Sequence, residues 1–407
     1  MKPHIHAPDL RQIRHTAQHI PDVLTGSRFQ EKDGNHFELL VDAVQFYPAM
    51  LAAISDARHY ILFEQYIMSS GHEADRFIEA LAAAVERGVE VYIQLDHFGI
   101  RHLTESDREC MQQYGIRLAF FNPAYFPHIR RGLPRNHRKL IIVDGQVCFT
   151  GGYCISNEYA PAADSEVPAW HDVVVRIEGP VISDWQILFT ENWRDLTGQP
   201  PDLPDIVAPS AAGTQTGLVT TSRPRRPKGL KRMFIRHMRH SRERAWIATA
   251  YFIPSRKILR MLRRAVSRGV DVRLLLPGSI NDHPAVRFAG RRYYRYLLRN
   301  GVRIFEFQPR FMHAKVYLCD DWASVGSCNM DRWNLHWNLE ANQEVHDAVF
   351  ATRVAALFEA DFSDSHEITL PEWLRRPWHE CLREWLWGYV DLWLERFSIL
   401  HRIRHSR

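Results

Sequence analysis

The chain has 407 residues, 45% of them hydrophobic and 24% charged, which supports a large folded core and excludes a wholly disordered protein. Net charge is +5, and all but seven of the 52 basic residues are Arg, whose planar fork of donors suits phosphate. The N-terminal stretch carries Asp9, Arg11 and Arg14 without an apolar run. No 18-residue uncharged apolar segment exists, so neither a signal peptide nor a transmembrane helix is expected.

In chain order, Tyr60–Ile67 reads as a buried strand, 74–87 as a helix closed by Gly88, and Val89–Leu95 as a second strand. A helix near 105–114 ends at Gly115, and Ile116–Phe121 is a third strand. The same order returns later. Trp246–Phe252 is a strand, 256–268 a helix closed by Gly269, and Val270–Leu276 a strand. A helix at 285–300 leads to Gly301 and then Val302–Phe307. Arg-Gly-Val-Glu/Asp-Val recurs at both helix-to-strand turns, which marks an internal duplication of an α/β unit of about 170 residues. Between the copies, 198–215 is rich in Pro, Ala, Gly and Thr and reads as a linker. Residues 222–244 hold ten Lys/Arg against the single acid Glu243 and read either as a solvated basic face or as a contact for anionic lipid. The six Cys form no C-x-x-C pair and are read as reduced, mostly buried thiols. The His and Cys show no metal-ligand spacing, so no metal or other cofactor is expected.

Each copy continues into H-x-K-x4-D: His137, Lys139 and Asp144 followed by Gly151-Gly152, then His313, Lys315 and Asp320 followed by Gly326-Ser327-Cys328-Asn329. One chance match is expected in roughly one such chain in fifty; two at equivalent places in a duplication are far rarer. Residues two apart on an extended strand share a face, so each His projects with its Lys. If the copies pack about a pseudo-twofold axis, two His and two Lys meet in one cleft. One His can then attack phosphorus while the other protonates the leaving alkoxide. The Lys pair, with Ser327 and Asn329, is expected to stabilise charge on phosphoryl oxygens. One imidazole must be neutral and the other protonated, which predicts a bell-shaped pH profile.

This doubled pattern resembles the phospholipase D superfamily over nearly all of residues 30–370. The resemblance implies an α/β fold of two duplicated domains, each a mixed sheet flanked by helices, related by a pseudo-twofold axis with the active site between them. It divides the chain into a first domain (30–197), a linker and basic segment (198–244), a second domain (245–370) and a Trp/Arg-rich C-terminal helix (371–407). It implies a downstream carboxylate orienting each His. By position Asp172 takes that role in the first copy and Glu344 in the second, leaving Asp144 and Asp320 to fix local turns. It also implies His137 as the nucleophile. Cys154 stands where the family pattern has Asn, so that either this phosphate contact is lost or Asn157 substitutes for it.

Trp322–Asp331, Asn338–Asn342, Ile177–Pro180, Phe37–Asp42 and Phe46–Met50 further resemble the cardiolipin synthases, of the shorter B type. That resemblance implies transfer of a phosphatidyl group, through a phosphohistidine, to the glycerol hydroxyl of phosphatidylglycerol, with phosphatidylethanolamine as a further substrate. It also implies a monomer peripherally bound to an anionic membrane on its cytoplasmic side, with no nucleic acid partner. A phospholipid hydrolase and, less favoured, a nuclease are the competing readings. The loop Pro123–Arg131 mixes aromatics with Arg beside His137. The tail from Trp373 holds five Trp, and its last twelve residues have four Arg and no acid. The loop reads either as an interfacial lipid guide or as an ordinary packed surface loop, and the tail either as a membrane contact or as a helix packed on the second domain.

Overall fold

The computed structural model describes residues 28–122, 134–161, 165–203, 209–223, 229–331, 335, 338–378, 382, 384 and 387. The first copy runs β1 (Lys32–Val41), α1 (Ala43–Asp56), β2 (Tyr60–Gln65), α2 (His72–Glu86), β3 (Glu90–Asp96), α3 (Glu105–Gln113), β4 (Arg117–Phe121), β5 (Leu140–Val143), β6 (Val147–Gly151), β7 (Val173–Glu178) and α4 (Ile182–Thr197). The second runs β8 (Gln215–Ser222), α5 (Gly229–His240), β9 (Arg244–Thr249), β10 (Phe252–Ile253), α6 (Arg256–Ser267), β11 (Asp271–Pro277), α7 (Pro284–Arg291), α8 (Tyr294–Arg299), β12 (Arg303–Phe307), β13 (Lys315–Cys319), β14 (Trp322–Gly326), β15 (Met330–Asp331), β16 (Glu340–His346) and α9 (Ala348–Ser363). β17 (Ser365–Ile368) and α10 (Leu370–Leu374) follow.

The duplication is visible in the sheet order. The first copy reads β4-β3-β2-β5-β6-β7-β1 and the second β12-β11-β9-β13-β14-β16-β8. The two join through β1 and β8 in one 15-stranded sheet, with β17 on the edge beside β12. In each copy three strands joined by helices are parallel, and the hairpin strands that follow are antiparallel. The helix-to-strand turns repeat in their dihedral angles: Gly88 has φ 90° and Gly269 φ 89°. A Cβ at either would meet no atom within 4 Å, so it is the left-handed backbone that requires Gly there, not crowding.

Three apolar clusters build the layers. One covers the outer face of the first half under α1 and α2, and one that of the second half under α5 and α6. The third is shared. It holds Leu140, Ile142, Val175 and Trp185 of the first copy with Val316, Leu318, Val325 and Phe358 of the second. Trp185 Nε1 donates to Gln343 Oε1 at 2.9 Å across this seam. The halves therefore share a core, and their relative position is fixed by packing.

The expected elements form, with two revisions. The helix expected at 285–300 is two helices, α7 and α8, with the break at Arg292–Tyr293. The segment expected to be linker and basic face contains β8, paired along its length with β16, and α5. The apolar side of α5 (Leu230, Met233, Phe234, Ile235 and Met238) is core. Its Arg content hid the helical apolar period. Trp373 is buried beneath Arg376 and against Tyr294, while Trp378 is 76% exposed. The 123–131 loop, Trp385, Trp393 and the final Arg residues lie outside the described residues. Among the described residues no helix is long and apolar enough to cross a membrane. The five described Cys are unpaired, and all but Cys110 are buried.

Candidate active site

Each His-x-Lys segment is an extended lead-in to a hairpin strand, β5 or β13. Alternation sends His137 and Lys139 to one side and Arg138 to the other, where it meets buried Glu64 at 2.8 Å. The opposite copy holds each segment by its backbone. His137 N–H donates to the Leu339 carbonyl at 2.9 Å, and His313 N–H to the His171 carbonyl at 2.7 Å. Those acceptors immediately precede Glu340 and Asp172. The carboxylates are therefore exchanged between copies. Asp172 of the first copy lies 2.7 Å from His313 Nδ1, and Glu340 of the second lies 3.1 Å from His137 Nδ1.

This corrects both assignments: Asp172 orients His313 rather than His137, and Glu344 orients neither. The Glu344 carboxylate meets His237, Thr220 and Trp322, away from both catalytic candidates. The signal that finds Glu340 is position within the repeat: Asp172 directly precedes β7, and Glu340 opens the equivalent strand β16. Gly152 and Ser327 occupy equivalent places with different tasks. A Cβ at Gly152 would sit 2.5 Å from Asp172 Oδ1, so Gly makes room for the carboxylate. Ser327 Oγ instead donates to Glu340 Oε2 at 2.5 Å, and is thus aimed at the orienting carboxylate rather than at phosphate.

Asn329 accepts from Tyr251 N–H at 3.3 Å through Oδ1, while its buried Nδ2 has no hydrogen-bond partner among the described residues. Cys154 lines the cleft. Asn157 does not replace it there, because it is exposed and accepts Glu73 N–H at the start of α2. Asp144 and Asp320 are outside the cleft as well. Both are left-handed turn residues, with φ 52° and 50°. Each accepts three consecutive backbone N–H groups, Arg58–Tyr60 and Arg242–Arg244 respectively. They are turn anchors, not proton carriers.

His137, Lys139 and His313 line one cleft of about 480 Å³. Lys315 is fully buried behind His313, with Nζ 2.9 Å from Nε2. Sequence reasoning missed most of the remaining wall: Tyr66, Phe98, Tyr159, Trp170, Tyr251, Ile253, Asp282 and Val286. Tyr66 packs on His137 with ring centroids 4.6 Å apart, and Tyr159 Oη lies 2.8 Å from His313 Nδ1. Tyr66 and Tyr251 fall within expected strands but were not singled out for the site.

The electrostatics follow from burial beside two cations. Burial, then Lys315, pushes His313 down to about 4. Burial lowers Lys315 to about 8, with Asp172 opposing and Lys139 assisting. His137 is lowered by burial and Lys139 against the opposing pull of Glu340. Burial alone would raise Asp172, but Lys315 and His313 outweigh it and hold the carboxyl below its usual range. Burial beside two lysines thus disfavours the charged form of both imidazoles, in a cleft suited to an anion.

Behind Asp172 sits a second polar cluster. His171 is 2.8 Å from Asp42 and 3.3 Å from Asp361 and stacks on Phe307, while Arg310 pairs with Asp42. Burial opposes charge on His171, yet the hydrogen bonds to Asp361 and Asp42 prevail and raise it to about 9. A buried imidazolium therefore links the two halves one residue from the carboxylate that orients His313.

Two H-x-K half-sites facing one cleft, built by a duplicated mixed-sheet unit, are the arrangement of a two-copy phospholipase D-type protein. The family described as "Cardiolipin synthase, PLD-like domain" matches residues 50–176 and 234–362. The chain is 34% identical over 340 residues to cardiolipin synthase A of Pseudomonas aeruginosa strain LESB58, covering 82% of this chain and 68% of that protein. It is 32% identical over 369 residues to cardiolipin synthase B of Escherichia coli K12, covering 85% of each. The fold is similar to that of phosphatidylserine synthase from Haemophilus influenzae Rd KW20, with a TM-score of 0.69 at 13% identity over 89% of this chain and 94% of that one. The chain belongs to the cardiolipin synthase family of phospholipase D-like enzymes.

Proposed function

We propose that the protein transfers a phosphatidyl group from one phospholipid to the glycerol hydroxyl of phosphatidylglycerol, through a phosphohistidine. The observation that carries this reading is the convergence of His137, Lys139 and His313 on one cleft, with Lys315 directly behind His313 and each imidazole held at Nδ1 by the other copy's carboxylate. With Nδ1–H donated to a carboxylate, Nε2 is the nitrogen left for chemistry. His137 Nε2 attacks phosphorus. The bond to the donor's headgroup oxygen breaks, and His313 supplies the proton to that oxygen. His313 then takes the proton from the incoming hydroxyl, whose oxygen displaces His137. Lys139 and Lys315 offset the growing negative charge on the phosphoryl oxygens. The aromatic and aliphatic wall (Tyr66, Phe98, Trp170, Tyr251, Ile253, Val286) suits the glycerol and upper acyl portion of a lipid better than a polynucleotide backbone.

The donor comes from an anionic membrane surface that meets the protein peripherally, on its cytoplasmic side. α6 supports this reading. Arg256, Lys257, Arg260, Arg263, Arg264 and Arg268 at its C-cap are exposed, and Ile253, three residues before the helix, lines the cleft. Cations spaced four apart on a helix repel one another, and an anionic surface removes that cost.

The test is lipid mass spectrometry in cells lacking other cardiolipin synthesis. Wild type is expected to accumulate cardiolipin and His137→Ala none. Phosphatidic acid without cardiolipin would establish a hydrolase instead, and plasmid nicking without new lipid a nuclease.

A further inference from the structure

Glu344, excluded from the catalytic cleft, belongs to a different constellation. It is 2% exposed, and its Oε2 lies 3.1 Å from His237 Nε2 on α5. Two residues along the same face of β16 is His346. Its Nε2 is buried and hydrogen-bonds to no described group. Its nearest acid is Glu31, with Oε1 3.8 Å away. One ligand-capable atom from each of His237, Glu344 and His346 lies within 4.8 Å of the other two. Their sequence separation, 107 residues between His237 and Glu344, defeats any search for short ligand motifs.

We propose that His237, Glu344 and His346, closed by Glu31, form a binding site for a zinc-type divalent cation outside the catalytic cleft. The donor set is two imidazoles and two carboxylates, all acceptable to zinc. Bonds of about 2.0–2.1 Å in tetrahedral geometry set ligand atoms roughly 3.3 Å apart, and the His237–Glu344 separation of 3.1 Å is already close to that. A His346 ring nitrogen lies within 4.8 Å of both other ligand atoms, and Glu31 Oε1 stands 3.8 Å from His346 Nε2 on the outer side. The ligands are also braced as metal ligands usually are. Trp322 Nε1 donates to Glu344 at 2.9 Å, and Thr220 holds the other oxygen. The His237 ring lies on Trp322 with centroids 3.8 Å apart and planes within 5°. His346 and Glu31, 29% and 39% exposed, give the ion a route from solvent.

Such an ion would tie α5 to β16, the strand whose first residue, Glu340, orients His137. Glu340 and Glu344 are four residues apart on one face, about 13 Å at strand rise. Binding should therefore stiffen the strand without contact to the reacting groups.

The test uses tag-free full-length protein stripped with a chelator and titrated with Zn2+ by calorimetry, and separately with Co2+ by visible absorption. One equivalent per chain is expected, with the strong visible bands of four-coordinate Co2+ and a rise in melting temperature on adding equimolar Zn2+. His346→Ala, chosen because the side chain stands at the rim, should weaken binding at least tenfold and abolish both the bands and the rise. Its unliganded circular dichroism should match wild type. Glu31→Gln should weaken binding as well. Absence of a stoichiometric site in wild type, or equal affinity in wild type and His346→Ala, would overturn the proposal.

Discussion

At the scale of residues, the exchange of carboxylates decides what each imidazole can do. An Nδ1–H held by Asp172 or Glu340 fixes the tautomer, and the same carboxylate stabilises the imidazolium when the ring takes up a proton. Asp172→Asn and Glu340→Gln keep the shape and remove that charge. Each is expected to lower kcat by ~10²–10⁴-fold, with a smaller effect on KM, in a lipid-transfer assay. Protonation of His313 should depend on substrate. The ring is held at about 4 by burial and Lys315, so in the empty cleft it cannot serve as an acid near neutrality. A phosphodiester anion lying beside Lys315 offsets that repulsion. In 15N-histidine NMR, a non-reactive phosphodiester should raise the His313 pKa by about 1–3 units, and an unchanged value would remove His313 as the acid. On the alkaline side, Lys315 loses its charge above about 8, so activity should decline as pH rises through that value.

At the scale of elements, α6 joins stability to surface chemistry. Ile258, Met261, Leu262 and Ala265 face the core, and Arg256, Lys257, Arg260, Arg263 and Arg264 crowd the exposed side. Changing Arg260 and Arg264 together to Glu leaves that apolar stripe intact. The double variant should sediment poorly with vesicles containing anionic lipid, and wild-type binding should fall with added salt. The helix was legible because its apolar residues recur at three and four positions ahead of a Gly turn. β8 was not legible, because Gln215–Ser222 is a polar Thr-rich stretch. Its strand character comes from pairing with β16 more than 100 residues away, a partner no local window contains. Glu344 was misassigned for a related reason. It sits in the same strand as Glu340, and only the register of that strand against the rest of the sheet tells which carboxylate reaches the cleft.

At the scale of the molecule, the duplication could be read from two Arg-Gly-Val turns and two H-x-K segments, because repetition survives without knowledge of contacts. What lay beyond the sequence was how the copies engage: the shared core, the backbone bridges and the His171 cluster at the seam. That cluster makes a global prediction. His171 is raised to about 9 from an ordinary value near 6.5. Its stabilisation is therefore complete below about 6.5 and is lost as pH rises through about 9, an effect of order a few kcal/mol. The melting temperature should fall across that interval, and His171→Gln should be less stable at pH 7 and show a flatter dependence.

The crossed bonds at Asp172 and Glu340 also bear on why both copies are carried on one polypeptide. A lone copy would have a histidine lacking its acceptor and an acid lacking its donor, so it could become competent only by finding a second copy in solution. Tethering replaces that encounter with an internal one, at an effective concentration dilution in the cell cannot reduce. It also frees the two copies to diverge, which is how Gly152 could come to face Ser327 and Asp172 to face Glu340 across a single reaction centre.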